Sequence, residues 1–359
     1  MQRALELASP PARSTLGLLE QTWRDARLRV SAASGVVLVH CAYPPGDPVL
    51  SRAPPDVATW EAILFRVVVS IPVNAFILLA FVGMAARLSA GAPPGRLLRT
   101  SAQRLVPAHA FWVVAFLAAR AAQTGQLPSP RAVAEGLLLG TAAAHLYFTP
   151  LLLALMAAVP AVARRAGSPA RVALLAIAVA AITAALEQTV GRDGLVLRTA
   201  LGILGYVPYA LAGLALGGWW GGIAPGPERA RIVAPIAAAV AAAAAAAILW
   251  LGAAPGGAAL RPSPALWLAG NGLGLSVPVL LLCAGGRPSL RVARLAALSM
   301  GVYFVHPFFV VGLRMAEARL PALRGQEVWM ILPNAAAAAV LSFLAVRLMS
   351  RTRLRRVVG

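Results

Sequence analysis

The 359-residue chain contains no lysine: every strongly basic side chain is arginine. Acidic residues are also scarce, 12 against 32 basic ones, for a formal net charge of +20. There are two cysteines, Cys41 and Cys283, both in apolar runs, and four histidines, His40, His109, His145 and His306. Two such cysteines build no disulfide framework, and neither they nor the histidines fall into a zinc-binding spacing. Charged residues make up 12% of the chain, about half of what a soluble domain carries. That excludes an ordinary soluble fold. An isoelectric point near 11.8 invites a nucleic-acid reading. The arginines argue against it, because they lie mostly between apolar runs, where orientation signals and lipid-headgroup contacts belong. Residues 1–29 are polar and basic with no apolar centre, so no cleavable signal peptide is expected.

What the chain has in abundance is apolar surface: 60% hydrophobic residues and a mean hydropathy of +0.77. This predicts an all-α, polytopic membrane bundle. Ten spans are expected, near 30–44, 62–86, 105–122, 145–163, 171–189, 199–219, 231–253, 264–284, 293–313 and 328–349. A weakly apolar approach, 132–144, precedes the fourth. Residues 1–28 form a lead with an interfacial helix around Leu16 to Trp23, residues 29–349 the membrane domain, and 350–359 a basic tail. With ten spans both termini share a side. That side receives 22 arginines and the other 9, with Arg66 left inside a span. The bias places both termini in the cytoplasm. No internal repeat points to an inverted-repeat transporter.

Few residues in the spans can do chemistry. Arg29 and His40 are eleven apart, so on a helix they share a face, with the histidine about 16 Å further along. That puts an imidazole near the middle of a bilayer about 30 Å thick, where an ionisable group is expensive and a functional candidate. A packed core histidine is the alternative. Arg104 opens the third span, with Arg96 and Arg99 before it. Guanidinium forks there suit the phosphates of a soluble donor, or they are plain orientation anchors. His145 and Tyr147 open the fourth span and can bond a hydroxyl or flank a sugar ring, or simply belong to the aromatic belt. Tyr303 and His306 share a face of the ninth span, and Pro307 kinks it. Glu187 is the one clear carboxylate read inside an apolar span, able to orient a histidine or pair with Arg192. No Ser-His-Asp arrangement is legible, so imidazole is the expected base.

Several of these stretches, taken in order, resemble the acyltransferase-3 family of multi-spanning envelope O-acyltransferases. Leu28-Arg29 followed by His40 is similar to the family's opening motif. Arg104-Leu105-x-Pro107 resembles the second half of its Arg-x-x-Arg-Leu-x-Pro motif, with Ser101 where the first arginine stands in the family. His145-Leu146-Tyr147-Phe148 resembles its His-Leu-Trp-Phe. Tyr206-Val207-Pro208-Tyr209 with Gly213 resembles its aromatic-Pro segment, and Ser299 to Pro307 its Ser-x-x-x-Tyr-x-x-His-Pro. The Ser-Gly pair usual in span two is missing around Leu78 to Gly83. The resemblance covers about 30–349 and implies ten spans. It also implies a bacterial inner-membrane enzyme that moves an acyl group, acetyl in the first instance, from cytoplasmic acyl-CoA to a hydroxyl of an envelope or exported glycan. No cofactor would be permanently bound. On that reading His40 and His306 are catalytic, and Arg29, Arg104 and Arg99 hold the donor. His145, Tyr147, Tyr303 and Glu187 bind the acceptor. Partners are the bilayer and a glycan or lipid-linked sugar, with no nucleic acid; the oligomeric state is left open. The competing expectation is a flippase for a lipid-linked sugar, with the same histidine-lined path and no chemistry.

Overall fold

A computed structural model describes residues 15–42, 71–189, 195–222, 224–252, 264–284, 289–320 and 330–358. Among these every regular element is a helix, and no strand is formed. The helices are α1 (Thr15–Ala42), α2 (Pro72–Ser89), α3 (Pro94–Thr124), α4 (Pro130–Leu139), α5 (Phe148–Ala166) and α6 (Pro169–Thr189). They continue as α7 (Leu195–Trp220), α8 (Pro227–Gly252), α9 (Pro264–Cys283), α10 (Leu290–Ala296), α11 (Ser299–Ala318) and α12 (Ile331–Met349). Proline and glycine set many of the boundaries. Six helices begin on a proline, whose missing N–H is no loss in a first turn. Gly125, Gly140, Gly167 and Gly221 follow α3, α4, α5 and α7 with φ between 66 and 78°, the left-handed conformation that closes a helix.

Eight of the described helices are long and apolar enough to cross a membrane, and α9 adds a shorter apolar stretch, Trp267–Cys283. The chain is a polytopic helical membrane protein. The expected spans are largely helical where they are described, with three differences: the fourth begins at Phe148, since His145–Tyr147 form a turn rather than its first residues, and two others differ in shape. The lead helix and the first span are one 28-residue helix, α1. The ninth span is two helices, α10 and the longer α11. Pro44-Pro45-Gly46, where the sequence predicts a turn that ends the first span, residues 62–70 with Arg66, Arg192 and the side chain of Glu187 lie outside the described residues.

α1 is the hub. It packs against α2, α9, α10, α11 and α12. Leu28, Ala32, Ala33, Val36, Val37 and Cys41 form its buried stripe, at the spacing of one helix face. One turn before Leu28, Arg24 donates to the carbonyls of Pro225 (3.1 Å) and Leu282 (3.2 Å). Arg27 donates to Leu281 (2.8 Å) and Ala284 (3.3 Å). Three of those carbonyls sit at the end of α9, where a helix lacks its own donors, so α1 and α9 are locked together there.

Elsewhere small residues set the distances. A Cβ on Gly213 of α7 would stand 2.6 Å from the Leu78 carbonyl of α2, so the two helices cross at backbone contact. The alanine-rich α8 meets α9 in a satellite cluster of Ala244, Ile248, Ala269 and Leu273.

Candidate active site

Three of the four histidines converge. The rings of His40 and His306 lie 5.0 Å apart, His145 and His306 5.3 Å, and His40 and His145 6.0 Å. They arrive from three directions: His40 from the last turn of α1, His306 from the middle of α11, and His145 from the irregular segment between α4 and α5. Irregular backbone is tolerated at membrane depth only where protein covers it, and His145 is indeed buried. Its carbonyl accepts a hydrogen bond from the Tyr303 hydroxyl. Gly140 lets the segment fold back this closely. A Cβ there would stand 2.4 Å from the peptide linking Leu146 to Tyr147.

His306 is fully buried, and its Nδ1 lies 3.1 Å from the Val302 carbonyl. A carbonyl only accepts, so Nδ1 carries the proton and the neutral ring keeps its lone pair on Nε2. His40 alone of the three retains partial exposure. Aromatic rings wall the group: Phe116 lies 5.1 Å from His145, and Tyr303 5.5 Å from His145 and 6.2 Å from His306. The fourth histidine, His109, is elsewhere engaged. Its Nε2 lies 3.1 Å from the Leu137 carbonyl and ties α3 to α4.

A cavity of about 370 Å³ opens on the side of the bundle where α2 ends and α3 begins. Arg29, Arg87 and Arg104 line it together with Asp25 and Ser101, and Phe76, Phe148, Leu152 and Met300 are among its apolar residues. Asp25 accepts from Arg29 Nε with both oxygens, at 3.0 and 2.9 Å. That fixes the guanidinium by its Nε edge. The Tyr303 ring lies 6.2 Å from Phe76 and 5.3 Å from Phe148. One aromatic layer therefore separates the basic cavity from the histidines.

The structure thus brings Arg29 and Arg104 to one cavity and His40, His145, His306 and Tyr303 to one cluster beside it. Arg99 lies on the exposed face of α3 and does not line the cavity. Arg87, which the hydropathy pattern places in a basic loop after the second span, takes a place there from the last turn of α2. Ser101 lines the cavity too, so the position that carries arginine in the resembled motif does face this space. Tyr147 does not join the histidines. Its hydroxyl pairs with that of Tyr206 at 2.7 Å, and its ring borders a second, apolar cavity of about 390 Å³ near Gly140 and Gly202.

Sequence reasoning also missed Glu317. It expected the ninth span to end near 313, but α11 runs to Ala318. Glu317, only 12% exposed, is a second carboxylate at the end of an apolar helix. The spacing Arg314-x-x-Glu317, an oppositely charged pair on one helix face, was the available signal.

A family model for an acyltransferase domain, acyltransferase-3, matches residues 27–350. No curated protein and no solved structure matches the chain.

Proposed function

Because the chain belongs to the acyltransferase-3 family and is a membrane acyltransferase, we propose that it moves an acetyl group from cytoplasmic acetyl-CoA to a glycan hydroxyl. The glycan is an envelope or exported one, and the membrane is the inner membrane of a bacterium. One observation carries this reading: an arginine-lined cavity stands one aromatic layer from a cluster of three imidazoles. The arginine bias along the sequence, 22 to 9, puts the cavity on the cytoplasmic side, where acyl-CoA is found.

Arg29, Arg87 and Arg104 hold the donor's phosphates by charge-assisted hydrogen bonds. Asp25 keeps Arg29 pointed. The apolar residues of the cavity receive the uncharged arm, and the thioester reaches the histidines past Phe76, Phe148 and Tyr303. His40 takes the proton from the acceptor hydroxyl as its oxygen attacks the thioester carbonyl. The new C–O bond forms, the C–S bond breaks, and the proton passes from His40 to the departing CoA sulfur. His306 and His145 back the His40 ring and hold it in place.

Histidines alone would serve a flippase as well; a built donor site would not. The test is therefore release of free CoA thiol from acetyl-CoA by membranes carrying the protein and its native acceptor. Thiol release that needs both the protein and His40 supports the transferase. Sugar translocation without thiol release would overturn it.

A further inference from the structure

At the outer end of the histidine cluster lies a polar network to which the reaction above assigns no role. Arg314 of α11 donates through Nη1 to Glu317 at 3.1 Å and through Nη2 to the carbonyl of Cys41 at 2.5 Å. Asn334 of α12 donates to the other Glu317 oxygen at 2.8 Å. The Arg314 and Glu317 side chains are 16% and 12% exposed, and Cys41 is fully buried. Cys41 is the residue after His40. One contact chain therefore joins α1, α11 and α12, and two of those helices carry the closest histidine pair.

The reason for the network lies in the prolines that follow α1: Pro44 and Pro45, four residues beyond His40 and Cys41, have no N–H to give the carbonyls of those two residues. This part of α1 lies beside the middle of α11, since the His40 and His306 rings are neighbours. The last four carbonyls of a helix have no donor of their own, and inside a bilayer there is little water to supply one. Arg314 lies eight residues beyond His306, about 12 Å along the axis. Helical side chains lean toward the N-terminus, so its guanidinium reaches back to the level of Cys41. A cation at that point also suits the negative end of the α1 dipole. Glu317, pinned by Asn334, balances the charge and fixes the direction of the fork, as buried charges require.

We propose that Arg314, held by Glu317 and Asn334, is a positioning residue for His40: by capping Cys41 it sets the end of α1 and with it the His40–His306 geometry. This rests on His40 being the reacting base. A displacement of about 1 Å at a reacting group can reduce the rate about 10²-fold.

The experiment measures acetyl-CoA-dependent thiol release and acetyl-CoA binding for Arg314→Met, Arg314→Lys, and the charge-neutral double variant Arg314→Met/Glu317→Leu, in native membranes and in the His40→Ala background. The double variant removes the risk that an unpaired Glu317 unfolds the protein. The expected result is a kcat reduced about 10²-fold in Arg314→Met and in the double variant, partial rescue in Arg314→Lys, and acetyl-CoA affinity unchanged. In the His40→Ala background the Arg314 change adds nothing further. Full activity in the folded double variant, or an equal further loss on top of His40→Ala, overturns the positioning role. If His40→Ala is itself silent, the reading of His40 fails instead. The rate of His40 modification by diethyl pyrocarbonate then still tests the geometry: a rate unchanged between wild type and the double variant overturns the inference.

Discussion

The basic cavity and the histidine cluster are neighbours, yet they are assembled by different rules. The cavity is lined by long arginine side chains from three helices, set around an open space. The cluster is made of short rigid rings on closely held backbone: the His306 ring is tied to the Val302 carbonyl, and the His145 carbonyl accepts from the Tyr303 hydroxyl. A long cation can be delivered to the same space from several helices, so Arg87 of α2 reaches a cavity in which residue 101 of α3 is serine. An imidazole has no such latitude, since a change of helix or register moves the ring by several ångströms. Charge is thus exchangeable between helices where the histidines are not. A divergent chain can lose an arginine from its motif and keep every histidine in place.

Substitutions sharpen this contrast, beginning with the largest effect. His40→Ala is expected to lower kcat by about 10² to 10⁴-fold, the range for loss of a general base, while acetyl-CoA binding persists; thiol release and ligand binding measured on the same preparation check both. Arg87→Ala and Arg104→Ala are expected to weaken acetyl-CoA binding by about tenfold or more each, since a hydrogen bond to a charged group contributes about 1.5–3 kcal/mol. Saturating kcat should change little, and Arg99→Ala should bind as wild type does. If Arg99→Ala matched Arg87→Ala, the assignment of the cavity would be wrong. Salt separates the two regions more gently. Raising ionic strength from about 0.1 M to 1 M shortens the screening length from about 10 Å to 3 Å. The KM for acetyl-CoA should rise while kcat holds. His109→Leu has the smallest kinetic effect. It leaves the Leu137 carbonyl without its partner, costing about 1–3 kcal/mol of stability, with kcat unchanged; thermal unfolding and thiol release read the two parts.

The architecture was legible from hydropathy because membrane spans write long apolar runs into the sequence, and proline and glycine marked where many of them begin and end. Convergence was less legible. His40, His145 and His306 lie in runs that look alike, and periodicity places a residue on a face without saying which faces meet. Position in the spans, and then resemblance to family motifs, singled out those three, and the packing around α1 supplied their juxtaposition. Arg87 escaped notice because a cation at the end of a span reads as an orientation signal, and nothing local distinguishes one that lines a cavity from one that faces lipid headgroups. Glu317 escaped because the apolar run was taken to end before it. Tyr147 follows His145 by two residues, yet the backbone turn between them sends its ring to Tyr206.

The measurement that bears most directly on the donor site is thermal unfolding of the purified protein in detergent, with and without acetyl-CoA, for wild type, Arg104→Ala and Arg99→Ala. A ligand at about 100 times its dissociation constant adds about 2.7 kcal/mol to stability. The expected result is a clear upward shift in wild type and Arg99→Ala that falls by half or more, to about 1.4 kcal/mol or less, in Arg104→Ala at the same acetyl-CoA concentration. No shift in wild type with acetyl-CoA, or with any longer acyl-CoA, would contradict a donor site in the arginine-lined cavity.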